Sequence, residues 1–262
     1  MAKKFYVVWQ GRKTGIFTEW AVCKAQVEKY AGAKYKSFPT REAAEQAFTS
    51  GQSVSVSRAS AGVKKKSVAN KAVAGKGGVK TYDASEVAAV TADTKIFTDG
   101  GCEPNPGEAG TGVVIYRHQK LSELWFGLYN PQGTNNTAEL NGLHQALIFA
   151  KDDLSKQRDV VIFCDSKYAI QCITQWAAGW EKNGWTRKGG EIKNLELIQE
   201  IYHLYQSLKD RVRVLHVNGH VGVEGNELAD RMSIKAISEQ VCDLVLWQEP
   251  INIKEILALR AG

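Results

Sequence analysis

Four carboxylates, at Asp99, Glu139, Asp165 and Asp230, are the side chains of this sequence best suited to chemistry. The sequence pattern predicts that two of them follow buried strands and that two lie at the start of a helix. Like charges about 4 Å apart repel by ~4 kcal/mol at an effective dielectric of 20, so a cluster of them requires a neutralising partner. Oxygen ligands are those that hard divalent cations prefer. We therefore predict a site for two Mg²⁺ ions, with Mn²⁺ as an alternative, of the kind that hydrolyses phosphodiesters.

Each acid also has a purely structural interpretation. Asp99 precedes Gly100–Gly101, a pair that predicts a turn of the backbone, so its carboxylate could merely start that turn. Glu139 follows Asn136 by three residues, which is the spacing of a helix capping box. A single metal site accounts for all four acids at once, and we prefer it for that reason.

The elements that must position these acids are those of an α/β protein. Segments 112–116 and 124–128 predict consecutive antiparallel strands, and Val160–Cys164 is apolar throughout, as in a strand buried on both faces. That strand ends on Asp165, and Ser166 can cap the helix that follows. A strand, a carboxylate and a helix in this order place a ligand at the carboxyl edge of a sheet.

Charge is distributed unevenly along the 262 residues, whose formal net charge is +6. Residues 1–48 carry +5, residues 49–93 carry +4 and residues 94–262 carry −3. This gradient predicts an N-terminal arm that binds a polyanion, joined to a slightly acidic body. The sequence contains no apolar run long enough for a membrane span and no signal peptide, and its five cysteines lack C-x-x-C spacing. We expect free thiols, a cytoplasmic location and no membrane partner.

Residues 1–48 predict a small ββαβα domain. Aromatic and basic side chains alternate there, as in surfaces where rings stack on bases or sugars and cations meet phosphates. For the two aromatic members, a place in the core is an equally good interpretation. The candidate substrate-binding residues of this domain are Arg12, Lys13, Trp20, Tyr35 and Lys36.

Residues 49–93 are rich in Ala, Ser, Gly, Val and Lys and contain a single aromatic residue, Tyr82. This composition predicts a flexible basic linker that tethers the body to the N-terminal arm. Segment 75–81 resembles a phosphate-binding loop, but it lacks the Gly-Lys-Ser/Thr ending, so we do not predict nucleotide hydrolysis.

Three further segments leave alternatives open. Trp176, Trp180 and Trp185 lie among basic residues and predict either a projecting substrate grip or tryptophans in a helical core. His216 and His220 have the spacing of a zinc pair, but the Asn-Gly break between them argues against a helix there. Residues 238–262 predict a tail packed on the body or, less favoured, a helix that binds a partner.

Four motifs carry a resemblance to type 1 ribonuclease H: TDGG at 98–101, TNNTAEL at 134–140, FCDSKY at 163–168 and GHVGVEGNELAD at 219–230. The resemblance covers residues 94–237 and implies a mixed five-stranded sheet flanked by helices. It implies that the four acids hold two metals and that His220 assists proton transfer or product release. It also implies that Asn105 and Asn136 touch the substrate in the minor groove, where the 2′-OH distinguishes RNA from DNA.

The segment from Phe5 to Phe48 resembles the hybrid-binding domain found at the N-terminus of many such enzymes, which is similar to a domain of a viral inclusion-body protein. The resemblance implies that Trp20, Tyr35 and Lys36 contact the DNA strand of an RNA/DNA hybrid. A second lysine is common after the position of Lys36, and this chain has Ser37 there.

The sequence therefore predicts an endonuclease that hydrolyses the RNA strand of RNA/DNA hybrids and works as a monomer. The alternative from another class is a scaffold that binds hybrid or double-stranded RNA and has an inactive acidic cluster. A part of a reverse transcriptase or an integrase-like enzyme shares the acids, but no polymerase-sized segment is present.

Overall fold

The computed structural model describes residues 4–28, 30, 33–38, 40–41, 44–45, 48, 79–219 and 222–262. The chain divides into two compact units, Met1–Val73 and Ala74–Gly262. We call them the N-terminal unit and the C-terminal unit. Within the described ranges, no helix is both long enough and apolar enough to cross a membrane.

The N-terminal unit contains a three-stranded antiparallel sheet in the order β2-β1-β3, with one helix packed on it. Among the described residues of this unit, Val8, Cys23 and Val27 are buried together and form a small apolar core. The second helix of the predicted ββαβα domain starts at Arg41, and residues 42, 43, 46 and 47 lie outside the described residues. The elements are β1 (Phe5–Gln10), β2 (Gly15–Phe17), α1 (Trp20–Val27) and β3 (Lys34–Phe38).

The C-terminal unit is built on a seven-stranded mixed sheet in the order β10-β7-β6-β5-β8-β9-β4. The strands β5, β8, β9 and β4 run parallel to one another, whereas the pairs β5–β6, β6–β7 and β7–β10 are antiparallel. The strands are β4 (Thr81–Tyr82), β5 (Thr94–Glu103), β6 (Gly107–Arg117), β7 (Lys120–Gly133), β8 (Val160–Cys164), β9 (Val212–Val217) and β10 (Val245–Leu246).

Helices cover both faces of this sheet. A π-helical segment, Cys172–Trp176, separates two short helices. The helices are α2 (Ala84–Ala89), α3 (Asn135–Ser155), α4 (Lys167–Gln171), α5 (Ala177–Lys182), α6 (Leu195–Leu208), α7 (Glu224–Ser238) and α8 (Ile253–Leu257).

The core consists of two apolar layers, one on each face of the sheet. Neighbouring residues of a strand point to opposite faces, so Ile96 packs with Leu143 of α3 while Phe97 packs with Leu228 of α7. The rings of Phe97 and Phe163 stack with centroids 4.9 Å apart. Coverage of both faces explains why β8 is apolar over its whole length. An α/β fold with a mixed sheet between helices is therefore confirmed.

The predicted linker, 49–93, is wrong at its C-terminal end. Residues 49–78 lie outside the described residues, but Thr81–Tyr82 forms β4, which pairs in parallel with β9. Helix α2 follows with a capping box between Asp83 and Glu86, and its Val87 is buried. The composition of this segment hides a strong helix start, because Ala and Ser dominate around it.

The sheet has seven strands and not the predicted five. The two additional strands are β4, from the predicted linker, and β10, from the predicted tail. Residues 238–262, the predicted tail, contribute β10, which pairs with β7, and α8, which buries Ile256. The ammonium group of Lys235 lies 5.1 Å from the ring centroid of Phe126 and 4.9 Å from that of Trp247, so the cation joins the tail to the sheet. The tail is thus a segment packed on the body, the favoured alternative.

Candidate active site

Asp99 lies within β5, and the prediction that Gly100–Gly101 turns the chain after a strand end is wrong. The strand continues to Glu103, with Gly100 paired to Thr111 of β6. What ends near Asp99 is the neighbouring parallel strand, because the pairing with β8 stops at Thr98–Cys164. Asp99 is 7% exposed and lies one residue beyond the last residue of β5 that pairs with β8.

Glu139 reaches the same place because helix α3 packs closely on β5. A Cβ added to Gly100 would lie 2.3 Å from the backbone nitrogen of Glu139, so only a glycine permits this contact. The helix is capped by Thr134, whose side chain accepts a hydrogen bond from the Thr137 amide. Asn136 is not the cap, and the capping-box interpretation of Glu139 is therefore wrong.

Asp165 follows β8 directly, as predicted, and Ser166 caps α4 by accepting from the Ala169 amide at 3.2 Å. The backbone carbonyl of Asp165 accepts a hydrogen bond from Nε2 of His216 at 2.9 Å. Because a carbonyl only accepts, Nδ1 of the neutral ring accepts in turn from the Thr81 hydroxyl at 2.8 Å. Burial lowers the pKa of His216, in agreement with a neutral ring.

Asp230 lies in the second turn of α7, which begins at Glu224, so its predicted place in the first turn is wrong. Asn226 lies inside this helix and donates from Nδ2 to Oδ2 of Asp165 at 3.1 Å. Ser233 donates to the Asp230 carbonyl at 2.8 Å and lies 3.4 Å from Oδ2 of Asp99. Helix α7 therefore carries Asp230 and also supplies side chains that contact Asp165 and Asp99.

All four carboxylates line one cavity of about 330 Å³. Burial, and after it the charges of Asp165 and Asp230, raises the pKa of Asp99 well above its ordinary value. Burial and the charges of Asp99 and Asp165 do the same to the pKa of Glu139. Burial also raises the pKa of Asp165, against the hydrogen bond from Asn226. The protein alone therefore does not neutralise the charge that these groups carry when ionised.

The donor set fits divalent metal ions. Oε2 of Glu139 and Oδ1 of Asp165 are buried and have no hydrogen-bond partner in the described part of the chain. Ligand atoms of Glu139, Asp165 and Cys164 lie within 4.8 Å of one another, a spacing at which one ion could contact them. Buried, unpaired carboxylate oxygens are costly unless a cation joins them. The site is thus an acidic group able to bind metal.

A second cavity, of about 610 Å³, is lined by aromatic, amide and cationic side chains. It includes Asn105 and Asn136, two of the predicted substrate-binding residues. Asn105 accepts through Oδ1 from the amide of Asn135, which itself lines the carboxylate cavity, so the two cavities meet at this turn. The other lining residues are Thr134, Tyr168, Trp176, Trp180, Arg187, Lys188, Ile192, Lys193 and Asn194.

The tryptophans of this region combine the two alternatives that the sequence left open. Trp176, Trp180 and Trp185 are partly buried against the core of the C-terminal unit. Trp176 and Trp180 nevertheless present ring surface to the second cavity, with centroids 5.9 Å apart. The same side chains therefore stabilise the fold and form a wall of the cavity.

In the N-terminal unit, Trp20 and Tyr35 are 44% and 47% exposed, so the alternative that they belong to the core is wrong. Their ring centroids are 6.0 Å apart, and Lys13 and Lys36 are exposed in the same unit. Arg12 is held differently, because its Nη1 donates to the carbonyls of Ala25 and Glu28 at 3.0 and 2.6 Å. This guanidinium satisfies the C-terminal end of α1.

Comparison with known proteins decides the family. The RNase H family model matches residues 91–238, and the model of the Ribonuclease H1 N-terminal domain matches residues 4–48. Ribonuclease H1 of Mus musculus is 33% identical over 257 residues, which covers 87% of each chain. The chain belongs to the ribonuclease H family.

Other relatives agree with this ribonuclease H assignment. Ribonuclease H of Rhodopirellula baltica is 35% identical over 159 residues, which cover 59% of this chain and 97% of the relative. The crystal structure of LC9-RNase H1, a type 1 RNase H with the type 2 active-site motif, is 26% identical with a TM-score of 0.50. It covers 63% of this chain and 81% of that one. The predicted resemblance to type 1 ribonuclease H with its N-terminal domain, and the prediction of an enzyme, are confirmed.

Several residues around the carboxylates of this ribonuclease H are not indicated by the sequence motifs. Asn226 and Ser233 lie four residues before and three after Asp230, and this helical spacing could have placed them on the same face. His216 was considered only as half of a zinc pair, whereas its ring joins Thr81 to Asp165. No local pattern points to that bond, because its partners are far apart in sequence. His220 lies outside the described residues.

Proposed function

We propose that this ribonuclease H is an endonuclease that cleaves the RNA strand of RNA/DNA hybrids and leaves 3′-OH and 5′-phosphate ends. The observation that carries the proposal is the convergence of Asp99, Glu139, Asp165 and Asp230 on one cavity that meets a second, aromatic and cationic one. The first cavity has the charge for metal-assisted hydrolysis, and the second has the composition of a nucleic-acid surface.

The cofactor we propose is Mg²⁺, two ions per site, with Mn²⁺ as a substitute. When bound, these ions supply activation of a water molecule and stabilisation of the leaving oxygen in phosphodiester hydrolysis. The chain's own contribution is to hold the four carboxylates in place before any ion arrives. Asn226 and Ser233 fix the carboxylate of Asp165 and the backbone at Asp230, while His216 fixes the end of β8.

Recognition of the RNA strand falls, in this proposal, to Asn105 and Asn136. Both side chains are exposed at the junction of the two cavities, where an amide can donate to or accept from a 2′-OH. The cationic side chains across the second cavity then meet backbone phosphates. We assign proton transfer or product release to His220, on the strength of the motif alone.

The N-terminal unit is proposed to bind the DNA strand of the hybrid through Trp20, Tyr35 and Lys36. Two exposed rings 6.0 Å apart offer stacking surface, and the lysine offers a phosphate contact. Lys13 is a further proposed phosphate contact. Arg12 is the weakest member of this set, because its Nη1 is already bonded to two carbonyls of the unit.

We further propose that the enzyme works as a monomer in the cytoplasm. In support, all five cysteines are free, and three of them are buried apart from any partner thiol. A reducing compartment is where such thiols persist.

Cleavage of a labelled RNA/DNA hybrid in the presence of Mg²⁺ tests this proposal. The wild-type chain should cut the RNA strand internally, and the Asp99→Asn variant should bind the hybrid with nearly unchanged affinity but not cut it. Asp243→Asn, an acid outside the cavity, is the matched control and should cut normally. A wild-type chain that binds the hybrid without cutting it would instead support the non-catalytic scaffold.

A further inference from the structure

The last residues of the described chain reach the metal-binding cavity. Helix α8 is anchored on the body by Ile256, which is 3% exposed, and by Arg231, whose Nη2 donates to the Leu257 carbonyl at 3.4 Å. From this anchor, residues 258–262 return across the rim of the cavity. Arg260 and Gly262 line it together with the four carboxylates.

The backbone of this segment binds a proposed metal ligand directly. The amide nitrogen of Gly262 lies 3.1 Å from Oδ1 and 3.3 Å from Oδ2 of Asp230. Arg231 forms an ion pair with the same carboxylate. An amide that donates to a carboxylate occupies lone pairs that a metal ion would use, so amide and ion compete for them.

The attachment on the far side of the cavity is weak. Arg260 pairs with Glu103, at the end of β5, but the two side chains are 70% and 64% exposed. Exposed ion pairs stabilise proteins little and are screened by salt. The segment is therefore held at its base by buried packing and at its tip by bonds that can be exchanged.

We propose that residues 258–262 form a strap that competes with divalent ions for Asp230 and so lowers the affinity of the metal site. The inference rests on the proposed role of Asp230 as a metal ligand. In the metal-free enzyme the Gly262 amide donates to the Asp230 carboxylate, and binding of an ion at Asp230 releases that amide. The strap thereby sets the ion concentration at which the site fills.

Two variants remove this contact in different ways. A chain that ends at Ala258 lacks residues 259–262, and with them the Asp230 contact, but keeps α8 and its bond to Arg231. Gly262→Val keeps the strap but expels its tip, because a Cβ at this position would lie 2.7 Å from Oδ1 of Asp230. Leu259→Ala is the matched control, since its side chain is 46% exposed and the Asp230 contact does not depend on it.

Titration calorimetry with Mg²⁺ alone, on the full chain without nucleic acid, tests the proposal. Both variants should bind Mg²⁺ roughly 3- to 10-fold more tightly than the wild type, the range for loss of one competing hydrogen bond of typical net strength. The control should match the wild type. In nuclear magnetic resonance spectra of the wild type, the Gly262 amide signal should shift as Mg²⁺ is added.

Equal or weaker Mg²⁺ binding by both folded variants would overturn the strap while leaving the proposed enzyme intact. Should the shortened chain fail to fold, the Mg²⁺ affinity of Gly262→Val and the shift of the Gly262 amide signal in the wild type decide whether the strap competes with the ion. A wild type that binds no Mg²⁺ at all and cuts no hybrid would overturn the proposed function, and the strap with it.

Discussion

Gly100 and Glu139 are in backbone contact across the interface of β5 and α3. A Cβ on residue 100 would lie 2.3 Å from the Glu139 nitrogen and 2.4 Å from the Ala138 carbonyl carbon. Backbone atoms cannot rotate away as the end of a flexible side chain can. This close approach sets the position of the Glu139 carboxylate relative to Asp99, its neighbour on the strand.

Replacing Gly100 with Ala should therefore push α3 away from the sheet and separate the two carboxylates. We expect a loss of about 1–3 kcal/mol in the free energy of unfolding, as for other overpacked sites. Cleavage activity should fall at least tenfold, because displacements of about 1 Å in a catalytic site have effects of that size or larger. Urea denaturation and hybrid cleavage measure the two effects.

Gly179→Ala is the control for this substitution. Gly179 lies in helix α5, and no atom of the described residues lies within 4 Å of a Cβ placed there. The substitution should raise stability by about 0.5–1 kcal/mol, the usual difference between the two residues in a helix. If Gly100→Ala behaves in the same way as this control, the close contact does not position Glu139.

Asp153 predicts a pH dependence of stability that is independent of the active site. Burial alone would raise the pKa of this carboxyl group, but hydrogen bonds from Thr94 and Arg117 outweigh burial and lower it below 3.8. Arg158 completes the set at 2.7 Å. A carboxyl group whose pKa is lower in the folded state than in the unfolded state stabilises the folded protein at pH values above the unfolded-state pKa. This stabilisation is lost as the pH falls through the folded-state pKa.

Asp153→Asn should therefore lower the free energy of unfolding at pH 7 by about 2–3 kcal/mol. The substitution removes the negative charge with which Arg117 and Arg158 are paired and leaves both guanidinium groups without it. The difference from wild type should shrink as pH falls from 4 towards 3. Asp152→Asn, whose carboxylate is 58% exposed, serves as the control and should have little effect at any pH. A difference that grows on acidification would contradict the assigned direction of the pKa shift.

Trp20 tests the role of the N-terminal unit. Trp20→Ala should weaken hybrid binding by about 1–3 kcal/mol, which is the contribution of one aromatic ring stacked on a base. At saturating substrate the cleavage rate should stay unchanged, because the four carboxylates proposed as catalytic belong to the other unit. Fluorescence anisotropy with an inactive Asp99→Asn background gives the affinity.

Val22→Ala is the comparison for Trp20, since Val22 lies on the same helix and is 45% exposed. It should bind the hybrid as tightly as the unaltered chain. Equal losses from both variants would mean that the unit was destabilised and that the ring itself makes no contact.

Thr81 provides a test of the segment that precedes the catalytic strands. Thr81→Val removes the hydroxyl that donates to His216 and should cost about 1–2 kcal/mol of stability, since the ring nitrogen stays buried without a partner. Thr81→Ser restores the hydroxyl and should recover most of this loss. Thermal denaturation compares the three chains, and no difference among them would show that the bond contributes nothing.

The sequence predicted the elements whose signal is local. Val160–Cys164 is apolar over its whole length and ends on Asp165, and the structure has a buried strand of those bounds. Predictions that depended on distant partners failed. Nothing near Gly100 indicates that β5 continues, because the strand is held by β6, whose register places Gly100 opposite Thr111.

The same limit applies to the carboxylate cavity. Four motifs located its acids, but the groups that orient them come from elsewhere in the chain. His216 binds a carbonyl on the adjacent strand, and Gly262 reaches Asp230 from a tail that matched no motif. A sequence pattern reports spacing along one element, whereas these bonds depend on how separate elements pack.

The two outermost strands of the large sheet, β4 and β10, are each only two residues long. Because a foreign strand needs a row of free peptide groups to extend a sheet, such short borders offer it little to bind. The longer strands β7 and β9 are screened by them in part. We expect the enzyme to resist edge-to-edge aggregation when it is concentrated. A variant that lacks β4 or β10 should form oligomers through the neighbouring strand, β9 or β7, that this loss exposes.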